Sequence, residues 1–139
     1  MSAKERHLFV PGVPAPQGSK RHVGRGIMVE SSKAVGPWRE RVALAFAELL
    51  DGESPTRAAV VLNARFTFTR PKSHLRANGV ARESAPATPV TRPDLDKLCR
   101  AILDALSGVA IVDDSQVVAI VASKEYGGAP GVYLRWRYA

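Results

Sequence analysis

The residues best suited to chemistry lie close together. Asp94 and Asp96 stand two apart in Thr91-Arg92-Pro93-Asp94-Leu95-Asp96-Lys97-Leu98, and Asp113 and Asp114 are adjacent. Inside a helix, side chains at i and i+2 point about 200° apart and cannot share an ion. At a helix entrance that restriction lifts: with Asp94 in the extended conformation of an N-cap and Leu95 turned into the core, both carboxylates can converge outside the terminus. The same pair could instead cap free amides and complement the helix dipole. At Asp113-Asp114 two like charges in contact call for solvation or a neutralising cation. A helix of about 14 residues spans roughly 20 Å, and a strand returning antiparallel would bring its far end to the helix start. Asp114 is therefore expected beside Asp94 and Asp96. Three carboxylates without histidine or cysteine suit a hard cation, Mg²⁺ or Mn²⁺, with open positions for water and phosphate. The matching chemistry is metal-assisted phosphodiester hydrolysis.

Charge distribution supports a polyanionic partner. The 139 residues carry a net charge of +7, with an isoelectric point near 10.1. Five of the six aspartates fall between residues 94 and 114, where only Lys97 and Arg100 are basic, so that window is −3 and the remainder +10. An acidic spot in a basic body can hold a cation against a phosphate backbone. The candidate DNA contacts are Lys20, Arg21, Arg25, Lys72, Arg76, Arg92, Lys97 and Lys124. Phosphate contacts of this kind fix position rather than read sequence. A basic surface with no such partner is the competing reading.

The elements that must position these groups follow from periodicity. Leu8-Phe9-Val10 reads as a strand ended by Pro11, Pro14 and Pro16, and Gln17 to Gly26 as a basic loop. Ile27-Met28-Val29 is a short strand before a helix capped by Ser31 or Ser32 and running to Leu50, where Asp51-Gly52 stops it. Period-two alternation from Ala58 to Thr69 predicts a half-buried strand. Arg70 to Pro93 reads as a long, mobile, basic loop. Leu95, Leu98, Cys99, Ile102, Leu103 and Leu106 form one helical stripe with Gly108 past its end. Val117–Ser123 and Val132–Tyr138 then read as a hairpin around Gly127 to Gly131. The expected fold is α+β: one domain over residues 1–139, a mixed β-sheet with two main helices, in the order β-β-α-β-α-β-β.

Other residues offer less. His7, His22 and His74 have no ligand or triad spacing. Cys99, the lone cysteine, fits the apolar stripe and excludes an intrachain disulfide. Trp38 and Trp136 could stack on bases or pack in the core. Asp104 is a partner or surface charge, and Lys124 could approach the site or decorate a sheet edge. The chain has no apolar run of about 20 residues, and MSAKERHLFV is too polar for a signal peptide, so a cytoplasmic protein with no membrane partner is expected.

The segment RPDLDKLCRAILDALSGVAIVDDSQVV resembles the signature of the RusA family of Holliday-junction resolvases: Asp-Leu-Asp at a helix start, Asp-Ala-Leu, then Asp-Asp-x-Gln-Val-Val. The match covers 27 contiguous residues, and the opening FVPGVPAPQGSKR is similar to the family's first strand and proline-rich loop. The resemblance implies Asp94, Asp96 and Asp114 as catalytic metal ligands for Mg²⁺ (Mn²⁺ possible), and a homodimer nicking opposed strands of a four-way junction. Arg100 stands where the family commonly has lysine. An arginine keeps an electrostatic role but resists deprotonation; an ion pair with Asp96 or Asp104 is its structural alternative. Two other functions stay open: a non-catalytic basic nucleic-acid-binding protein, and a related metal nuclease acting on flaps or forks.

Overall fold

The structure, a computed structural model, describes residues 5–18, 20–22, 28–30 and 33–139. Arg25, Ser31 and Ser32 lie outside the described residues. In chain order the elements are β1 (Glu5–Pro11), β2 (Lys20–His22), β3 (Met28–Glu30), α1 (Val35–Leu50), β4 (Val60–Phe68), α2 (Leu95–Leu106), β5 (Val117–Tyr126) and β6 (Gly131–Tyr138), with 3-10 turns at Lys72–His74 and Asp114–Gln116. The expected order is met, with β2 added inside what reads as a loop. It pairs antiparallel with β3, Lys20 opposite Glu30.

The alternation in β4 decides the layering. Val60, Leu62, Ala64 and Phe66 are buried on one face, as the pleat requires of residues two apart. They meet Val132, Leu134 and Trp136 of β6, Val10 of β1, Val42 and Phe46 of α1, and Leu98 and Ile102 of α2 in a single core. Both tryptophans belong to that core, which excludes base stacking for them. In α2 the buried stripe is Leu98, Ala101, Ile102, Ala105 and Leu106, with Gly108 in the left-handed region at φ 86° just past its end. α1 begins at Val35, with Ala34 at its N-cap and no side-chain cap, so neither serine marks its start. It ends as expected, Asp51 turning left-handed at φ 48°.

The sheet order is β1-β6-β4-β5. β6 pairs antiparallel with β1 and β4, while β5 pairs parallel with β4 on the far side. The expected β5–β6 hairpin is therefore corrected, because β4 lies between the two strands. A strand with so apolar an inner face belongs at the sheet centre, and local alternation cannot distinguish a tight hairpin from a link spanning two strand spacings, about 10 Å. The link crosses the end of β4: Gly127 N–H donates to the Phe68 carbonyl at 3.0 Å. A Cβ on Gly127 would meet Thr67 Cγ2 at 2.7 Å. A parallel pair needs a crossover, and α2 provides it between β4 and β5.

The segment from residue 70 to 93, expected as a mobile loop, is instead folded into hydrogen-bonded turns. Arg76 N–H donates to Val80 and Arg82 N–H to His74. Arg70 donates to the Pro86 carbonyl at 2.8 Å while its guanidinium lies 4.4 Å from the Tyr126 ring centre. The Arg92–Pro93 peptide is cis.

Candidate active site

The helix entrance has the backbone geometry that Asp-x-Asp requires. Asp94 is the N-cap of α2, extended at φ −70° and ψ 140°, and its side chain makes no capping hydrogen bond. Its carbonyl starts the helix by accepting from Leu98 N–H at 3.1 Å. The carboxylate is exposed, and among the described residues its one ion-pair partner is Lys97 Nζ at 4.0 Å. Asp96, in the first turn, is exposed. Capping thus accounts for the backbone of Asp94 but leaves both carboxylates available.

Two grooves flank this entrance. Arg92, Pro93, Asp94 and Lys97 face Val13, Pro14, Pro16 and Phe68 across a cavity of about 640 Å³. The proline-rich loop is fixed there by Gln17, whose N–H donates to the Lys97 carbonyl at 3.0 Å and whose Oε1 accepts from Arg39 at 2.6 Å. The second groove, about 760 Å³, runs between α2 and β5 and is lined by Leu95, Asp96, Cys99, Arg100, Leu103, Asp114, Ile120 and Ala122. Asp96, Arg100 and Asp114 therefore share one groove, and Asp94 opens on its neighbour. Among the described residues, no hydrogen bond or ion pair engages the side chains of Asp96, Asp114 or Arg100. Arg100 does not pair with Asp104, which instead lies 3.8 Å from Arg39. Burial, together with the negative charge of Asp96, pushes the Cys99 thiol up.

The three carboxylates do not converge within one chain. Among the described residues no three histidines, cysteines, aspartates or glutamates lie close enough to hold a metal ion. β5 does return along α2, but the end that reaches the helix entrance is Lys124, whose Nζ donates to the carbonyls of Thr91 at 2.9 Å and Pro93 at 3.0 Å. From Lys124 back to Val117 the strand covers about 23 Å at ~3.3 Å per residue, so Asp114 lies at the opposite end of the groove. Lys124 approaches the site and does not merely decorate an edge.

Asp113 and Asp114 have separate tasks. Asp113 accepts from Ser115 N–H at 3.0 Å, and the Ser115 hydroxyl together with that N–H holds its carboxyl below its usual value. Gln116 completes the turn: its Oε1 accepts from Val112 and Asp113 N–H, both at 2.9 Å, and its Nε2 donates to Thr56 and Ala58 carbonyls at 2.7 and 2.9 Å. Asp-x-x-Gln is the spacing of a capping box, a signal present in the sequence that singles out Gln116 as the residue holding this turn.

Of the proposed DNA contacts, Lys72, Arg76 and Arg92 are exposed, Lys97 and Lys124 half-buried. Lys20 and Arg21 belong to β2. The oxygen-only donors at Asp94, Asp96 and Asp114 suit a hard divalent cation by type, although one chain does not gather all three. No curated protein matches the chain. The family described as Endodeoxyribonuclease RusA matches residues 11–137, from the end of β1 almost through β6. Nearly the whole described fold is covered by that match, both grooves included, and the chain belongs to the RusA endodeoxyribonuclease family.

Proposed function

We propose that the whole chain acts as one Mg²⁺-dependent, structure-selective endodeoxyribonuclease domain that resolves four-way DNA junctions by paired symmetric nicks, as a cytoplasmic homodimer serving recombination and repair. The observation that carries this reading is the set of uncommitted groups on α2 and before β5: Asp94 free of a capping bond, and Asp96, Arg100 and Asp114 in one groove with no hydrogen bond or ion pair among the described residues. Exposed charges cost little to leave unpaired, but two carboxylates and an arginine left open along one groove in a nuclease family are groups available to a cation and to phosphate.

Asp94, Asp96 and Asp114 would hold the cation, which when bound polarises the scissile phosphate and provides a hydroxide nucleophile. Arg100 offers a permanently charged fork to a phosphate oxygen beside them. Lys124 keeps the loop end at Pro93 in place, which sets where Asp94 points. Lys20, Arg21, Arg25, Lys72, Arg76, Arg92 and Lys97 supply backbone contacts that recognise shape. No described helix is long and apolar enough to cross a membrane.

The test is cleavage of a synthetic four-way junction, a flap and a linear duplex of matched sequence, with and without Mg²⁺. Paired nicks confined to the junction and dependent on Mg²⁺ are expected. Preferential cutting of the flap would assign a flap nuclease, and binding without cutting in any divalent metal would assign a DNA-binding protein.

A further inference from the structure

The cavity of about 640 Å³ between the proline-rich loop and the chain entering α2 has apolar walls that cation and phosphate chemistry do not use. Its size lies in the range of small-molecule sites, roughly 300–1,000 Å³. Val13, on the loop side, is 70% exposed. That side is held in place: Gly12 N–H donates to the Pro130 carbonyl and Gln17 N–H to the Lys97 carbonyl, both at 3.0 Å, so Val13 to Pro16 are strung between two anchors. Pro14 and Pro16 restrict the backbone further. A wall already ordered loses little freedom when a ligand arrives. β4 adds an aromatic ring: Phe68 continues the inner face of Val60 to Phe66 but is only half-buried, and it lines the cavity.

The distribution of polar groups selects the occupant. Among the described lining residues, charge is confined to Arg92, Asp94 and Lys97, all on the α2 side. Pro14, Pro16 and Pro93 have no N–H to donate, so these walls are no cradle for a phosphate, which is held by successive backbone amides. A nucleobase matches them. Its apolar faces stack on an aromatic ring whichever base it is, and it is carried on a strand whose phosphates Arg92 and Lys97 can meet.

We propose that this cavity takes one unstacked nucleobase of the DNA substrate, its ring on Phe68 and against Val13, and that the phosphate next to that base is thereby set before Asp94. The placing of the phosphate rests on the junction-nuclease reading; the base site itself does not. Taking a base out of a duplex is costly, and least so where pairing is already interrupted. A site of this kind therefore favours a branch point or a single strand over intact duplex, and it selects by structure without hydrogen bonds to base edges.

Two binding measurements, made without divalent metal, decide it. In the first, 5-iododeoxyuridine is placed singly at successive positions flanking the branch of a four-way junction, and the complex with wild-type protein is irradiated. At one position the cross-link should fall in the peptide holding Phe68 or in the loop from Val13 to Pro16. Links only to other segments, or none, overturn the proposal. The second is a cycle in which wild type and Phe68→Ala each bind the junction intact or with an abasic site at that position. Phe68→Ala should weaken binding of the intact junction by about fivefold or more and leave the abasic junction within about twofold, because no base is left to stack. Phe68→Leu, which keeps apolar volume but no ring, covers the case of an unfolded alanine variant and should show the same one-sided loss. Equal weakening of both junctions makes Phe68 a packing residue and overturns the base site. Such a failure in a protein that still nicks junctions leaves the nuclease reading in place. If wild-type protein does not prefer junctions at all, that reading fails, and both measurements on a single-stranded oligonucleotide still judge the cavity.

Discussion

The Lys124 ammonium donates to the Pro93 carbonyl at 3.0 Å, tying the far end of the edge strand to the residue before Asp94. The second bond, to Thr91, makes the contact a clamp on the chain entering α2. Lys124→Ala should therefore reduce cleavage at saturating junction by more than tenfold while changing junction affinity by less than about threefold, since one lost phosphate contact among many shifts binding only modestly. Lys124→Arg should recover part of the loss. Equal losses in binding and turnover would reduce Lys124 to a backbone contact.

The adjacent aspartates should separate cleanly. Asp94→Asn, Asp96→Asn and Asp114→Asn are each expected to lower Mg²⁺-dependent cleavage by about 10³-fold or more, while gel-shift affinity for the junction holds or improves as negative charge is removed. Asp113→Asn retains an oxygen for Ser115 N–H and should cut within about threefold of wild type. A large loss at Asp113 would make it the ligand in place of its neighbour.

Gln116 makes four hydrogen bonds that join the Asp113 turn to the chain before β4. Gln116→Ala strips partners from two amides and two carbonyls, some of which water replaces, so a loss of roughly 2 kcal/mol is expected at ~1 kcal/mol or less per bond. For a chain of this length that lowers Tm by on the order of 6–10 °C. Calorimetry showing no shift would mean the turn holds without it.

Acid should weaken the fold through identifiable groups. The Arg135 guanidinium holds the Glu5 carboxyl below its ordinary 4.5, and the Ser115 hydroxyl and N–H hold Asp113 below its ordinary 3.8. Both folded values are depressed, so their stabilisation is complete above those ordinary values and is lost as pH falls through the lower folded ones. A Glu5→Gln, Asp113→Asn variant should show a shallower decline in stability below about pH 4 than wild type, read by urea midpoints along a pH series. Parallel curves would place the acid sensitivity elsewhere.

What could be read in the residues themselves was whatever is local. The alternation through Val60, Leu62, Ala64 and Phe66 and the stripe through Leu98 and Ile102 are consequences of period, and both faces are buried as expected. The extended backbone of Asp94 follows from its place at a helix start. Relations between distant segments were not legible. Whether β5 lies beside β6 or across β4 from it depends on competition for the sheet centre. Which end of β5 meets α2 depends on the direction of the crossover, and that decides whether Lys124 or Asp114 reaches the entrance. The residues implied by the family resemblance could be named before it was visible that one chain keeps them apart.

Arg100 gives the sharpest test of how the groove works, because among the described residues it has no structural partner to confuse the result. The alternative for it, an ion pair with Asp96 or Asp104 on the helix surface, is not formed, so removing the side chain should change stability by less than about 0.5 kcal/mol. If its task is to meet charge developing on phosphate, Arg100→Ala should lower the rate at saturating junction by about 10²-fold, the usual cost of losing one such donor. Arg100→Lys keeps the charge and should retain most of the activity, with the same pH dependence. A guanidinium does not titrate in the working range, so a proton-transfer role predicts the opposite pattern: the lysine variant faster than wild type, with a new ionisation on the alkaline side. Single-turnover cleavage of the junction across a pH series separates the two outcomes, and the lysine variant alone is enough to read them.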